Sequence, residues 1–305
     1  MFLCAMIAAT AMLGGCSAGD EFIDEPTIDD ESEALDEFSM DGTPTQVVRL
    51  KFNIDGVVGQ PFPKQDNIPN SVPSDVSDVS DVKASVVKND SGEVLIGKPP
   101  GKNGRSIDLP DYTKGAAVIK VVDTKGDALS PGLADFSFGA DFNLNKLNSG
   151  PLDDNGNNLI QRGLHNSGHQ YKIQVDKGED EKWRPSCTLE KGTVEQCKNE
   201  QGDPAPCSVA ADKPVEHSRW YRVTCMRQGT TLRLVVRPYN PEGQLQDPIS
   251  TTERKNMPKF DLTWPVSESN LPMSIGGKLN ADGKIVKSND QFNGFIDNAF
   301  LTIFR

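Results

Sequence analysis

His165 and His169 form a His-x₃-His pair. On a helix that spacing puts both imidazoles on one face, where zinc could be held. Here Asn166-Ser167-Gly168 lies between them and reads as a hairpin tip joining Asn158–Gly163 to Gln170–Val175, with no third ligand in view. His217, just before the strand-like run at Trp220, reads as surface. Cys187, Cys197, Cys207 and Cys225 contain no Cys-x₂-Cys pair, which disfavours zinc, and an even number of thiols in an exported chain favours two disulfides. Three pairings are open. Cys187–Cys225 with Cys197–Cys207 is preferred, because the outer two sit in strand-like runs that could pair as neighbours while the inner two bracket a Gly/Pro-rich loop. Glu179-Asp180-Glu181 is the densest acidic cluster of the body, but it lies between Gly178 and Pro185 and reads as solvated loop. Sugar binding would need exposed aromatics. Trp183, Tyr239 and Trp264 stand in loop-like surroundings, and Trp183, flanked by Glu181, Lys182 and Arg184, is the best placed. Large aromatics are mostly buried, so core or rim packing is the preferred role for each of them. No nucleophile elbow, phosphate loop or metalloprotease helix is present in the sequence.

Other residues set where such a protein works. Phe2 to Leu13 is almost wholly apolar, too short to span a bilayer and suited to a signal h-region. It runs into Leu13-Gly14-Gly15-Cys16, which resembles the bacterial lipobox, so Cys16 is expected to carry diacylglycerol and become the mature N-terminus. No Lys or Arg precedes the run, a departure from the usual signal. The chain carries 32 basic and 44 acidic residues, and eleven of the acids fall between Gly19 and Asp41 without a single Lys or Arg. The rest of the chain is therefore close to neutral and offers nucleic acid no basic patch. The acidic stretch spreads Phe22, Ile23, Ile28, Leu35 and Phe38 among like charges, buries no core and reads as an extended tether. The expected organisation is a signal peptide at 1–15, a lipidated tether at 16–45 and one folded body at 46–305. The expected location is the bacterial cell envelope, anchored to a membrane by lipid and facing away from the cytoplasm.

The elements of that body are strands. Gly 27 and Pro 21 disfavour a helical bundle. Val47–Ile54 and Ala116–Val122 are rich in β-branched residues. Phe136, Phe138, Ala140, Phe142 and Leu144 alternate with Ser137, Gly139, Asp141 and Asn143, so one apolar face and one wet face are expected. Similar alternation runs through Tyr171–Val175, Tyr221–Cys225 and Leu232–Val236, and Gln228-Gly229-Thr230 makes Trp220–Arg237 a hairpin. Pro61–Asp81 reads as a long polar excursion.

The order of these pieces resembles a family. Leu271-Pro272-Met273-Ser274-Ile275-Gly276-Gly277 followed by Phe292-Asn293-Gly294-Phe295-Ile296-Asp297-Asn298-Ala299 is similar to the ending of laminin-G-like, concanavalin A-like lectin domains. Gly101–Ile107, Leu133–Phe138, Leu159–Gly163 and Trp220–Cys225 resemble earlier strands of that family in the right order, over roughly Val47–Arg305. The resemblance implies an all-β jelly-roll sandwich of two antiparallel sheets. In the closing strand, Ile296, Phe300 and Phe304 are expected on one face and Phe295, Leu301 and Ile303 on the other. The resemblance also makes calcium available at the sandwich edge, though no cofactor is required. Asp153, Asp154 and Asn155 have suitable oxygens, as does Asp297, whose simpler role is to fix loop amides. Glucanases of this fold carry Glu-x-Asp-x-x-Glu on one strand, a pattern missing here. The expected function is a non-catalytic surface lipoprotein that binds envelope glycan or a surface protein. The alternatives are a divergent glycoside hydrolase and a structural envelope component.

Overall fold

A computed structural model of the chain describes residues 40, 42–52, 55–63, 65–72, 81–89, 91–101, 104–111, 115–145, 156–165, 168–191, 197–198, 202–259, 261–264, 271–285 and 290–305. The lipobox at Cys16, most of the acidic tether and the calcium candidates Asp153, Asp154 and Asn155 lie outside them. The described residues hold seventeen strands and no helix. In chain order these are β1 (Pro44–Leu50), β2 (Val82–Asn89), β3 (Leu95–Gly97), β4 (Ser106–Leu109), β5 (Ala116–Asp123), β6 (Asp135–Leu144), β7 (Gly156–Arg162), β8 (His169–Lys177) and β9 (Trp183–Lys191). There follow β10 (Cys197–Lys198), β11 (Pro204–Ala205), β12 (Cys207–Ala210), β13 (Trp220–Gln228), β14 (Thr231–Pro238), β15 (Ser250–Arg254), β16 (Met273–Ile275) and β17 (Gly294–Phe304).

Pairing is antiparallel throughout and makes two large sheets. Sheet 1 runs β15-β14-β13-β6-β17-β4-β3, with β1 also on β17; sheet 2 runs β12-β9-β8-β7-β16-β5-β2; β10 and β11 form a separate ribbon. The expected hairpin is present as β13 and β14, with Gln228 opposite Thr231. Inward rows cross each sheet in register. On sheet 2, Val209, Cys187, Ile173, Ile160, Ile275, Ile119 and Val86 fall opposite one another. On sheet 1, Phe136, Phe138 and Phe142 of β6 lie beside Ile303, Leu301 and Ile296 of β17. Tyr171 of sheet 2 meets Phe136 and Phe138 at centroid distances of 5.9 and 5.1 Å, so these rows face each other and form the core of a β-sandwich. Each fully buried Phe there contributes ~1.5–3 kcal/mol.

The structure departs from the sequence reading in four places. The polar side of β6 is not wet: Ser137, Asp141 and Asn143 are buried with the rest of the strand. β6 is a central strand, and Arg222, Thr224, Asp297 and Phe300 on its two neighbours close over its short polar residues. A Cβ on Gly139 would strike the Val223 carbonyl oxygen and the Phe300 ring, so only glycine lets those groups in. Secondly, a bulge between Asp297 and Phe300, with Asn298 at φ 46°, inserts an extra residue into β17. The alternation flips there. Ile296, Leu301 and Ile303 share the core face while Phe295, Phe300 and Phe304 share the other, against the split expected from unbroken alternation.

Thirdly, the chain after Pro61 is not a polar excursion. Phe62 and Ile68 are buried, Ile68 bridges Ala84, and Asn70 both accepts from the Arg49 N–H (2.8 Å) and donates to the Val47 carbonyl (3.0 Å). Lastly, Cys187 and Cys225 are bonded, as are Cys197 and Cys207, but Cys187 and Cys225 are not on neighbouring strands. Cys187 is on β9 of sheet 2 and Cys225 on β13 of sheet 1, with 6.1 Å between their Cα atoms, so the bridge crosses the core and ties the sheets together. Period-two patterning shows which side of a strand is apolar but not which sheet the strand joins. The close approach expected at Gly294 is present: it sits at φ 144°, and a Cβ there would fall on the Asn143 carbonyl.

Candidate functional site

The outer face of sheet 1 carries the densest chemistry among the described residues. β6, β13 and β17 lie side by side, and their register aligns outward residues in rows. Trp220, Asn143 and Phe295 form one row, and Arg222, Asp141 and Asp297 the next. Thr224, Gly139 and Phe300 follow. Trp220 and Phe295 approach to 6.2 Å across Asn143. Asn143 Oδ1 is buried and has no hydrogen-bond partner among the described residues. Phe295 is half-buried.

In the second row, Arg222 donates to both carboxylate oxygens of Asp141 (2.7 and 3.0 Å), and Asn298 Nδ2 donates to the same carboxylate (2.6 Å). Such a bidentate fork fixes both groups. Asp297 Oδ1 accepts the backbone N–H groups of Asn298 (2.8 Å) and Phe52 (3.3 Å). The carboxylate thus pins the bulge of β17 to the chain leaving β1, the amide-fixing role considered for it in the sequence. Burial, and then the neighbouring Asp141 carboxylate, push the Asp297 carboxyl up to about 7, against the two amides and Arg222.

This pair was missed in the sequence. Asp141 was visible on the polar side of β6 and Asp297 in the closing strand, but only the β6–β17 register puts them opposite each other. A carboxyl whose pKa rises on folding holds its proton more tightly in the folded state. Its favourable share of stability is complete below the unfolded value near 3.8 and is lost as pH rises toward about 7. Asp297→Asn keeps an acceptor for both amides and removes the charge facing Asp141. It is therefore expected to gain on the order of 2 kcal/mol over the parent at pH 8 and to lose the advantage below pH 4. Urea unfolding at the two pH values measures this; equal midpoints at pH 8 would count against it.

The other sequence candidates are placed elsewhere. Trp183, Tyr239 and Trp264 are 8%, 7% and 3% exposed, so none offers a free ring for sugar stacking. Trp183 starts β9 with its ring 6.1 Å from that of His217, and Tyr239 continues from β14 with its amide on the Trp220 carbonyl. Trp264 lies under the Arg162 guanidinium at 4.1 Å. Each has the packing role that the sequence favours for large aromatics. His165 and His169 part company: Nδ1 of His165 lies 2.9 Å from Glu190, while the His169 ring packs 5.6 Å from Trp264. Among the described residues no group of three or more His, Cys, Asp or Glu side chains is placed to hold a metal ion. Asp180 in the acidic loop is forked by Arg184 (2.6 and 2.7 Å).

No protein-family model matches the chain, and no curated protein matches it. Solved structures with a similar arrangement include the binding domain of Paraclostridial Mosquitocidal Protein 1, with a TM-score of 0.46 at 14% identity over 85% of this chain and 49% of that one. The botulinum neurotoxin serotype G binding domain gives 0.43 at 12%, over 86% and 48%. The enzymatically active domain of tailspike protein 2 from bacteriophage CBA120 gives 0.45 at 10%, over 73% and 29%. The chain spans about half the length of these structures or less, and its two-sheet architecture rests on its own strand pairing.

Proposed function

We propose that the protein is a non-catalytic lipoprotein of the bacterial cell envelope, laminin-G-like in its sandwich, that binds glycan through the outer face of sheet 1. One observation carries the reading: the Trp220–Asn143–Phe295 row, in which an unpartnered amide oxygen lies between two aromatic side chains beside the Arg222–Asp141 fork. An acceptor lacking a donor suits a sugar hydroxyl, and the half-buried Phe295 suits an apolar sugar face. Lipid attachment at Cys16 would hold this face near envelope polymers.

The test is a pull-down of the protein on purified cell-wall and polysaccharide fractions. Phe295→Ala is expected to weaken retention about tenfold, the loss of a part-buried aromatic contact, with unchanged circular dichroism. Undiminished retention would reject this face.

A second reading, glycoside hydrolysis, is favoured by the Asp141–Asp297 pair alone, since a carboxyl raised to about 7 beside a fixed carboxylate is the division an acid and a nucleophile need. Against it, both are buried, both Asp141 oxygens are engaged by Arg222 and Asn298, and Asp297 Oδ1 accepts two backbone amides. Steady release of reducing ends from any bound polysaccharide would establish the hydrolase.

Cys16→Ser is expected to abolish incorporation of a fatty-acid probe and to leave precursor unprocessed. Label retained on that variant would remove the lipoprotein assignment.

A further inference from the structure

The opposite face of the sandwich has its own pattern. An outward row crosses all seven strands of sheet 2 as Ser208, Thr188, Lys172, Gln161, Ser274, Lys120 and Ser85, with every member polar. Beside it run Ser186, Gln174 and Asn158. A face meeting only bulk water would leave these side chains extended and exposed. Instead Gln161, Ser274 and Asn158 are buried, and Lys172 and Gln174 are half-buried.

The chain between β16 and β17 closes one side of this face. The Asn158 N–H donates to the Asp290 carbonyl (3.4 Å), and Lys278 Nζ pairs with Asp290 Oδ2 at 2.9 Å. Most polar groups here are matched internally. Gln174 Nε2 and Ser186 Oγ donate to Asp176 Oδ2 (2.6 and 2.8 Å), and Asn158 Nδ2 donates to Gln161 Oε1 (2.5 Å). Two groups are not. Lys172 Nζ has no hydrogen bond or ion pair among the described residues, and Asn158 Oδ1 is buried without a donor. Lys172 is opposite Gln161 and Asn158 opposite Gln174, so the two lie diagonally on adjacent strands, within about 8 Å by sheet geometry.

One is an unused donor and the other an unused acceptor, and a hydroxyl serves both. The charges facing Lys172 are Asp176, Asp290 and Glu190 against Lys278. Asp290 is paired with Lys278 and Glu190 lies against His165, which leaves Asp176 as the countercharge of Lys172, so its surroundings do not call for an anion. Burial lowers the Lys172 pKa, against the pull of the nearby carboxylates.

We propose that the outer face of sheet 2 holds a second binding site, for a neutral polyhydroxylated ligand of the oligosaccharide class, with hydroxyls bonded to Lys172 Nζ and Asn158 Oδ1 and flanked by Gln174 and Thr188. It rests on the reading of the protein as a glycan-binding module, but not on the face assigned above.

The experiment is calorimetric titration of the full chain with cellohexaose, maltohexaose, a galacturonate hexamer and an acidic peptide. Lys172→Met is expected to weaken one neutral hexasaccharide at least fivefold without lowering thermal stability, while Phe295→Ala leaves that affinity unchanged. Asn158→Asp, nearly isosteric, is expected to alter it as well. Neutral binding that responds to Phe295 alone overturns this site and leaves the sheet 1 reading standing. Lys172-dependent binding of the uronate or the peptide overturns the ligand class. No binding of any saccharide overturns both readings.

Discussion

Arg162→Ala is expected to cost about 3–5 kcal/mol and to open the loop between β5 and β6 to protease, because it strips a buried cation from three acceptors at once. The Arg162 side chain is fully buried. Its Nε donates to the Leu271 carbonyl (3.1 Å), Nη1 to Ser130 Oγ (2.9 Å) and Nη2 to Asp127 Oδ1 (2.6 Å), with the Trp264 ring 4.1 Å from the guanidinium carbon. Tyr171 adds a bond from its hydroxyl to the Leu129 carbonyl (3.1 Å). From sheet 1, Arg227 Nη2 donates to the Gly132 and Ala134 carbonyls, and its guanidinium lies 4.9 Å from the Phe136 ring. Burial brings Arg227 down to about 10, still charged at neutral pH. One loop is thus held by an arginine from each sheet.

Arg162→Lys keeps the charge but replaces a planar fork by a point donor, so it should recover less than half of the loss. Denaturant unfolding of both variants, with limited proteolysis mapped to 127–134, measures the effect. Full recovery by lysine would show that charge alone matters there; a cost below ~1 kcal/mol would show that solvent takes over the abandoned acceptors.

How far the sequence reaches follows from what alternation encodes. It marks Phe136, Phe138 and Phe142 as one face of β6, and that face is the core. It is blind to neighbours in space, so the polar partners of those residues read as wet although β13 and β17 cover them. A bulge is equally hidden: Asn298 follows Asp297 in an otherwise apolar run, yet the bulge there reverses the assignment of Phe300, Leu301 and Ile303. Arg162 and Arg227 carry no mark of their role in the sequence, because a buried arginine is betrayed only by the carbonyls that receive it. The candidate site suffers most, since Asn143, Asp141, Arg222 and Asp297 come from three strands spread along the chain. Each is legible as an outward polar residue, and their meeting is a consequence of register.

Register also governs the disulfides. Replacing Cys187 and Cys225 together by Ala is expected to cost about 4 kcal/mol, and replacing Cys197 and Cys207 about 3, from the loop entropy that separations of 38 and 10 residues return to the unfolded chain. The gap should widen beyond that entropy. The first bridge lies between two fully buried residues and joins opposite sheets, so its loss leaves a void between them as well as freeing the chain. The second is buried as well, but it links the β10–β11 ribbon to the start of β12 and does not join the two sheets. In thermal unfolding the first double variant should fall by about 10 °C or more. Non-reducing peptide mapping checks the connectivity first: a Cys187–Cys197 peptide would dismantle the pairing of β9 with β12 and the crossing of the core together. If both double variants lost the same stability, the bridge between sheets would add nothing beyond loop closure, and the two sheets would hold their spacing by the packing of Phe136, Phe138 and Tyr171 alone.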